Sequence, residues 1–228
     1  MFLDSFFNLL SKYHHNRIAL YSKNLKFNNL IDVGCHKGEF LSSFLKIKKI
    51  KKFYCFEPQK DIYKVLKKDF KKKNNISFFN FALGNVVTKK KIYINNLSSA
   101  STMTKLDHSS FYLKFKNFLT GTNLEKQKNY YIQQKTIDKI FKNQSLKNTF
   151  LKIDVEGYEY QVLLGAKKKI KDVSYVLIEN QIFNRYALRN NKISKVKNFL
   201  IKNKFKIVKN FYFPTLHYKD VLFKKKGS

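Results

Sequence analysis

Ile31-Asp32-Val33-Gly34-Cys35-His36-Lys37-Gly38-Glu39 reads as a short apolar strand that runs into a glycine turn and then into a helix. A turn of this kind aims backbone N–H groups and the positive end of a helix at the crevice beyond the strand ends of an open α/β sheet. The dinucleotide fingerprint would need a second glycine two positions after Gly34, for close approach to a pyrophosphate, and His36 stands there. A dehydrogenase is therefore disfavoured.

Outward from this turn, strand and helix patterns alternate. Leu30 to Val33 is a strand, and Glu39 to Lys46 places Phe40, Leu41, Phe44 and Leu45 at helical spacing. Lys52 to Phe56 is a second strand, ending at Glu57-Pro58, and Asp61 to Lys72 a helix burying Ile62, Val65, Leu66 and Phe70. Ile76 to Leu83 and Lys91 to Asn95 are further strands. The pattern resumes with a strand at Phe150 to Val155, a helix at Tyr158 to Ile170 and a strand at Ser174 to Glu179. Ile193 to Ile201 is helical, and Phe205 to Phe211 with Asp220 to Lys224 forms a closing hairpin. Repeating units of this length predict a mostly parallel α/β sheet with helices on both faces.

At 228 residues, with 43% hydrophobic and 16% aromatic residues, the chain fills one sizeable core. One domain is expected over 1–228. Residues 1–24 are a leading helical segment, in which Phe2, Leu3, Phe6, Leu10 and Tyr13 share a face that caps the core or touches a membrane surface. The core is expected, because a membrane-surface helix would carry a strongly basic polar face and bases begin here only at Lys12. Residues 97–130 are polar and weakly periodic, so they are expected to be an insertion over the crevice. No run approaches the length of a bilayer span, and residues 1 to 10 lack the features of a signal peptide, so a cytoplasmic location is expected. Cys35 and Cys55 are too few for a disulfide framework and are expected reduced and buried.

The net charge of +32 invites a nucleic-acid reading. Against it, only Arg17, Arg185 and Arg189 supply the planar guanidinium fork, and lysines make up the other 44 of the 47 basic residues. Lysine runs recur along the whole chain, as solvated faces do, and no specific nucleic-acid partner is expected. Peripheral contact with an anionic membrane remains open, as does the oligomeric state.

Glu57 stands nineteen residues beyond Gly38, at the end of the second strand, where a carboxylate accepts hydrogen bonds from the ribose hydroxyls of an adenosine-containing cofactor. With the turn before it, the chain resembles the FkbM-type family of S-adenosylmethionine-dependent methyltransferases. The resemblance runs through Ile31-Asp32-Val33-Gly34 to Gly38, Cys55-Phe56-Glu57-Pro58, Asn80-Phe81-Ala82-Leu83, Lys135-Thr136-Ile137-Asp138, Leu151 to Glu159, Leu164-Gly165-Ala166 and Ile178-Glu179. It implies a class I methyltransferase fold, Rossmann-like, with a seven-stranded sheet and one reversed strand near the carboxyl terminus. It further implies S-adenosyl-L-methionine as cofactor and transfer to a hydroxyl of a sugar or polyketide. By resemblance, Asp32 and the turn Gly34, His36, Gly38 hold the methionine and ribose portions, Glu57 the ribose hydroxyls, and Asn80 and Ala82 lie near the adenine. Family members commonly carry asparagine at the position of His36, consistent with a left-handed backbone there.

The resemblance also sets the strand that ends at Asp154 beside the Asp32 strand, with Asp154 at the crevice. Alternation along an extended chain puts Asp154 and Glu156 on one side. Methyl transfer from an activated sulfonium asks the enzyme to position the acceptor and take its proton. Asp154 is the first candidate for that task, Glu156 the second and Glu179 the third, although each acid taken singly would serve as well to bind backbone amides or lysines. A divalent ion clamping a diol could also use Asp154, Glu156 and Glu179, but no histidine or third acid stands at a recognisable ligand spacing, so no metal is expected. His14, His15, His108 and His217 are scattered, and the hydroxyl run Ser98, Ser99, Ser101, Thr102 reads as a polar loop. The expected function is O-methylation of a sugar or glycan precursor, a small-molecule or glycan hydroxyl being the acceptor. The alternative is an RNA or other nucleic-acid methyltransferase that exploits the basic surface.

Overall fold

The computed structural model describes residues 2–94, 128–181, 193–216 and 218–227. The hydroxyl run 98–102, His108, His217 and residues 97–127 of the expected insertion lie outside the described residues. Residues 128–130 of that insertion open a strand.

The main sheet has seven strands: β1 (Asn29–Val33), β2 (Lys52–Phe56), β3 (Ile76–Phe79), β7 (Thr149–Ile153), β8 (Tyr175–Gln181), β9 (Phe205–Tyr212) and β10 (Tyr218–Lys225). Their order is β3-β2-β1-β7-β8-β10-β9. Every adjacent pair from β3 to β8 is parallel, and β10 runs antiparallel to both β8 and β9. That is the expected mostly parallel sheet with one reversed strand. A second sheet, ordered β4-β6-β5, joins β4 (Ala82–Leu83), β5 (Thr88–Ile94) and β6 (Lys128–Lys135).

Strand alternation divides the apolar side chains between two cores. Ile31, Val33, Leu151, Ile153, Val176 and Ile178 face one side. There they meet α4 (Ile137–Ile140), α5 (Glu159–Leu164) and α6 (Ile193–Lys202), which bury Ile137, Val162, Leu163, Val196 and Leu200. Leu30, Phe53, Cys55, Phe150, Tyr175 and Leu177 face the other. They pack on α1 (Phe2–Ser22), α2 (Glu39–Ile47) and α3 (Lys60–Asp69) through Ile18, Ala19, Phe40, Leu41, Phe44 and Leu66. Both cysteines are free and buried. No described helix is long and apolar enough to cross a membrane.

Four expectations are corrected. Of the residues expected to be buried by α3, Leu66 is buried and Val65 is exposed. The strand expected over Ile76 to Leu83 is two strands in different sheets, β3 and β4. The helix expected over Tyr158 to Ile170 ends at Leu164, and Lys169–Lys171 forms a separate 3₁₀ turn. Gly165 caps α5, and a Cβ on it would lie 1.9 Å from the Gly84 carbonyl oxygen, so the β4 end presses against the helix terminus. The leading helix does not bury the face predicted for it. His14, Ile18, Ala19 and Ser22 are buried, whereas Phe6 and Tyr13 are exposed.

Candidate active site

The carboxyl ends of β1, β2, β7 and β8 meet at one edge of the main sheet, where the Asp32 to Glu39 turn sits. Gly34, His36 and Gly38 have φ of 79°, 47° and 86°, so the left-handed backbone expected at His36 is present and the turn uses it three times. The glycines serve packing. A Cβ on Gly34 would lie 1.8 Å from the Asp154 carbonyl oxygen, and one on Gly38 would lie 2.6 Å from the Phe70 ring. Glycine thus lets β1 and β7 close on each other at their ends, where Asp154 N donates to Val33 O.

On the β2 side, Glu57 is buried and pinned by backbone. His36 N donates to its Oε2 at 3.0 Å and Gln59 N to its Oε1 at 2.8 Å. Burial nonetheless pushes its carboxyl up to about 7. Asn80 donates its side-chain amide to the Glu57 and Pro58 carbonyls, at 2.9 and 3.1 Å, so it holds the turn that carries Glu57. Ala82 lies in β4, packed with Ile92, Ile132 and Tyr158. His36 Nδ1 pairs with Glu39 Oε1 at 2.8 Å. Burial raises the Glu39 carboxyl, but the His36 hydrogen bond and charge outweigh it and hold it below its ordinary range.

On the β7 side stands a residue given no role in the sequence reading, Lys152. It is the single buried lysine among the described residues. Its Nζ lies 3.1 Å from Asp32 Oδ1 and 3.2 Å from Asp154 Oδ2, and it donates to Gly34 O at 3.4 Å. Burial works against its charge, yet Asp154 and Asp32 outweigh burial and hold the ammonium above its ordinary range. Burial lifts the Asp32 carboxyl despite Lys152, and Asp32 Oδ2 is buried without a partner. Asp32 therefore acts behind the turn, by anchoring Lys152. A lysine two residues before Asp154, flanked by the apolar Leu151 and Ile153, was the available signal.

Glu156 is not on an extended chain as expected. Its φ of 52° follows the end of β7 at Ile153, and Gly157 follows at 92°. Glu159 Oε1 accepts from Gly157 N at 2.9 Å and fixes this turn, its own carboxyl pushed up to about 7 by burial. The turn brings Glu156 to β8, where Gln181 Nε2 donates to Glu156 Oε2 at 2.7 Å and to Glu179 Oε1 at 3.1 Å. One ligand oxygen from each of Asp154, Glu156 and Glu179 lies within 4.8 Å of the others. The set weighed in the sequence and disfavoured on spacing is thus brought together by the neighbouring strand, and the three donors have the spread of a hard-cation site.

Reversed strand β10 adds Asp220, in register with Glu179. Asp220 Oδ2 lies 2.7 Å from Nε2 of buried His14, so α1 is tied to this edge. Its neighbour His15 is pushed down to about 3, by burial and then by Lys152. Tyr218 is held well above the usual phenol range by burial and by Glu179, Asp220, Asp154 and Glu156, so its hydroxyl keeps its proton beside the acids. Neither the histidines nor Tyr218 could be placed by local pattern.

The donor set fits an adenosyl sulfonium cofactor. Each Glu57 oxygen accepts one backbone N–H and has a further lone pair for a ribose hydroxyl. The acids around the crevice suit a cationic group. Their arrangement parts into a half at β2 built around Glu57, which fits the cofactor, and an acidic half at β7 and β8.

The methyltransferase FkbM domain matches residues 32–207. Among solved structures, an FkbM methyltransferase from Methylobacillus flagellatus KT superposes with a TM-score of 0.58 at 16% identity, covering 87% of this chain. The chain spans only 44% of that protein. The magnesium protoporphyrin IX methyltransferase of Synechocystis PCC 6803, solved with bound S-adenosylmethionine, gives 0.53 at 8% identity over 96% of this chain and 81% of its own. The mitomycin 7-O-methyltransferase MmcR gives 0.50 at 6% identity over 95% and 54%. No curated protein matches. These structures share the class I fold, and the domain match extends from the Asp32 turn through the acidic half of the site: the chain belongs to the FkbM family of S-adenosylmethionine-dependent methyltransferases.

Proposed function

We propose that this domain methylates a hydroxyl oxygen of a sugar or glycan precursor, with Asp154 as the base. The observation that carries the reading is the convergence of Asp154, Glu156 and Glu179 at the ends of β7 and β8. S-adenosylmethionine supplies the methyl group, already activated on a sulfonium. Glu57 holds its ribose, and the Gly34 to Gly38 turn, with His36 and Asn80 fixing the Glu57 loop, supports its methionine and adenosine portions.

Asp154 is 26% exposed at the side chain, so it is reachable from the crevice while Lys152 holds one of its oxygens. Its carboxylate accepts the proton of the attacking hydroxyl, and the Lys152 contact keeps it oriented. Glu156 and Glu179, held together by the Gln181 amide, accept hydrogen bonds from neighbouring hydroxyls and so orient a polyol. A phosphodiester would meet like charge at the same place, which disfavours RNA despite the basic surface.

The test is mass spectrometry of methylated products after incubation with cofactor and a panel of cell-envelope sugars, lipid-linked glycans and RNA. Methylation of a carbohydrate hydroxyl is expected. Methylated RNA with unmodified sugars would transfer the function to the nucleic-acid reading.

A further inference from the structure

We infer that the outward face of α1 docks on an anionic membrane surface. At ~100° per residue, Leu9, Tyr13 and Leu20 fall within an arc of about 40° on the side of α1 opposite His14, Ile18, Ala19 and Ser22. They are 64%, 56% and 58% exposed. The Arg17 guanidinium stands over the Tyr13 ring at 5.6 Å and donates to the Tyr212 carbonyl, which ties this face of α1 to β9, where Tyr212 is also exposed.

Bases border the strip. Lys12 is exposed on the same helix. Lys219 Nζ lies over the Tyr212 ring at 5.0 Å and Lys209 Nζ over the Tyr21 ring at 5.9 Å. Aromatic and aliphatic side chains bordered by Lys and Arg are the composition of a surface that enters the headgroup region of an anionic bilayer. The apolar strip supplies the insertion, and the bordering bases supply the charge complementarity. Among the described residues, other exposed aliphatics include Val65 on α3, Ile201 on α6 and the adjacent pair Val86 and Val87.

The inner face of the same helix carries His14 to Asp220. A docked α1 therefore holds the carboxyl edge of the sheet about one helix diameter, roughly 10 Å, from the lipid surface.

The chain contains no tryptophan, so one introduced residue is a unique reporter. Leu9→Trp and, as control on the opposite core, Ile201→Trp are titrated with phosphatidylglycerol/phosphatidylcholine vesicles and with pure phosphatidylcholine vesicles. Lys12 is three residues from Leu9 and Lys202 follows Ile201, so both sites have a base nearby. The expected result is a blue-shifted emission for Leu9→Trp on anionic vesicles only, with no shift for Ile201→Trp. Leu9→Ser/Tyr13→Ser should weaken vesicle partitioning of the otherwise unaltered chain by about tenfold or more, with its circular dichroism spectrum unchanged. Equal shifts at both sites, or undiminished partitioning of the double variant, would reduce the binding to unspecific lysine attraction and overturn the proposal. So would a lipid-free dimer that Leu9→Ser/Tyr13→Ser dissociates, because the strip would then be an interface between copies.

Discussion

Glu57 and the Asp154 cluster flank β1 at the same sheet edge, yet they are held in opposite ways. Glu57 is buried and its two oxygens are fixed by backbone amides. Asp154, Glu156 and Glu179 are partly exposed, and side chains of Lys152 and Gln181 hold them. A carboxylate fixed by backbone suits constant recognition of a cofactor. Carboxylates held by side chains at the crevice suit contact with an acceptor. The two regions should therefore respond differently when broken.

The largest effect is expected at the hinge between them. Lys152→Met leaves Asp32 buried without its ion partner and should cost about 3–5 kcal/mol, measured by denaturant unfolding. Adding Asp32→Asn should recover part of that loss. Additive losses in the double variant would show that the pair is not coupled.

Glu57→Ala should weaken cofactor binding by about 1.5–3 kcal/mol through loss of a charge-assisted acceptor, as read by calorimetry. Unchanged affinity would remove Glu57 from the cofactor half.

The same carboxyl gives a pH signature. It is raised to about 7 in the ligand-free protein, and in the role proposed for it ribose hydroxyls would bind its ionised form. Affinity should then be full above pH 7 and fall as pH drops below it, by up to about tenfold per unit. The raised value also means that the ligand-free fold gives up stability as pH rises from the ordinary glutamate range through 7. A pH-independent affinity between 5 and 8 would contradict both the burial and the role.

The smallest effect is expected on the exterior. RNA binding should be weak, with dissociation constants around 10⁻⁴–10⁻⁶ M near physiological salt, and should fall steeply as salt rises. Replacing Lys71 to Lys73 by serine should change it only slightly in a gel-shift titration. Tight, salt-resistant binding would reverse the substrate argument.

Local pattern made the Asp32 to Glu39 turn, Glu57 and the β7 end readable, because each lies where a strand gives way to a turn. The resemblance picked out Asp154, Glu156 and Glu179, but local spacing could not show how they converge, since Glu179 comes from the next strand and Glu156 is turned by a positive φ. Strand β6 and the short α4 went unread for a related reason: polar residues dominate β6, which among the described residues pairs with β4 and β5. In α1 the apolar residues lie on both sides of the helix, and the buried side is set by His14 and Ile18 meeting the reversed strand and α2, a contact invisible to periodicity.

Separation of the two halves is tested most directly by measuring cofactor affinity and saturated turnover together in Asp154→Asn and Glu57→Ala. Asp154→Asn is predicted to stay folded, to bind cofactor within a few-fold of the original chain and to lose turnover by about 10²–10⁴-fold. Glu57→Ala is predicted to lose affinity and to regain most of its turnover at saturating cofactor. A folded Asp154→Asn with near-normal rate, or one that loses cofactor binding along with its activity, would contradict the account.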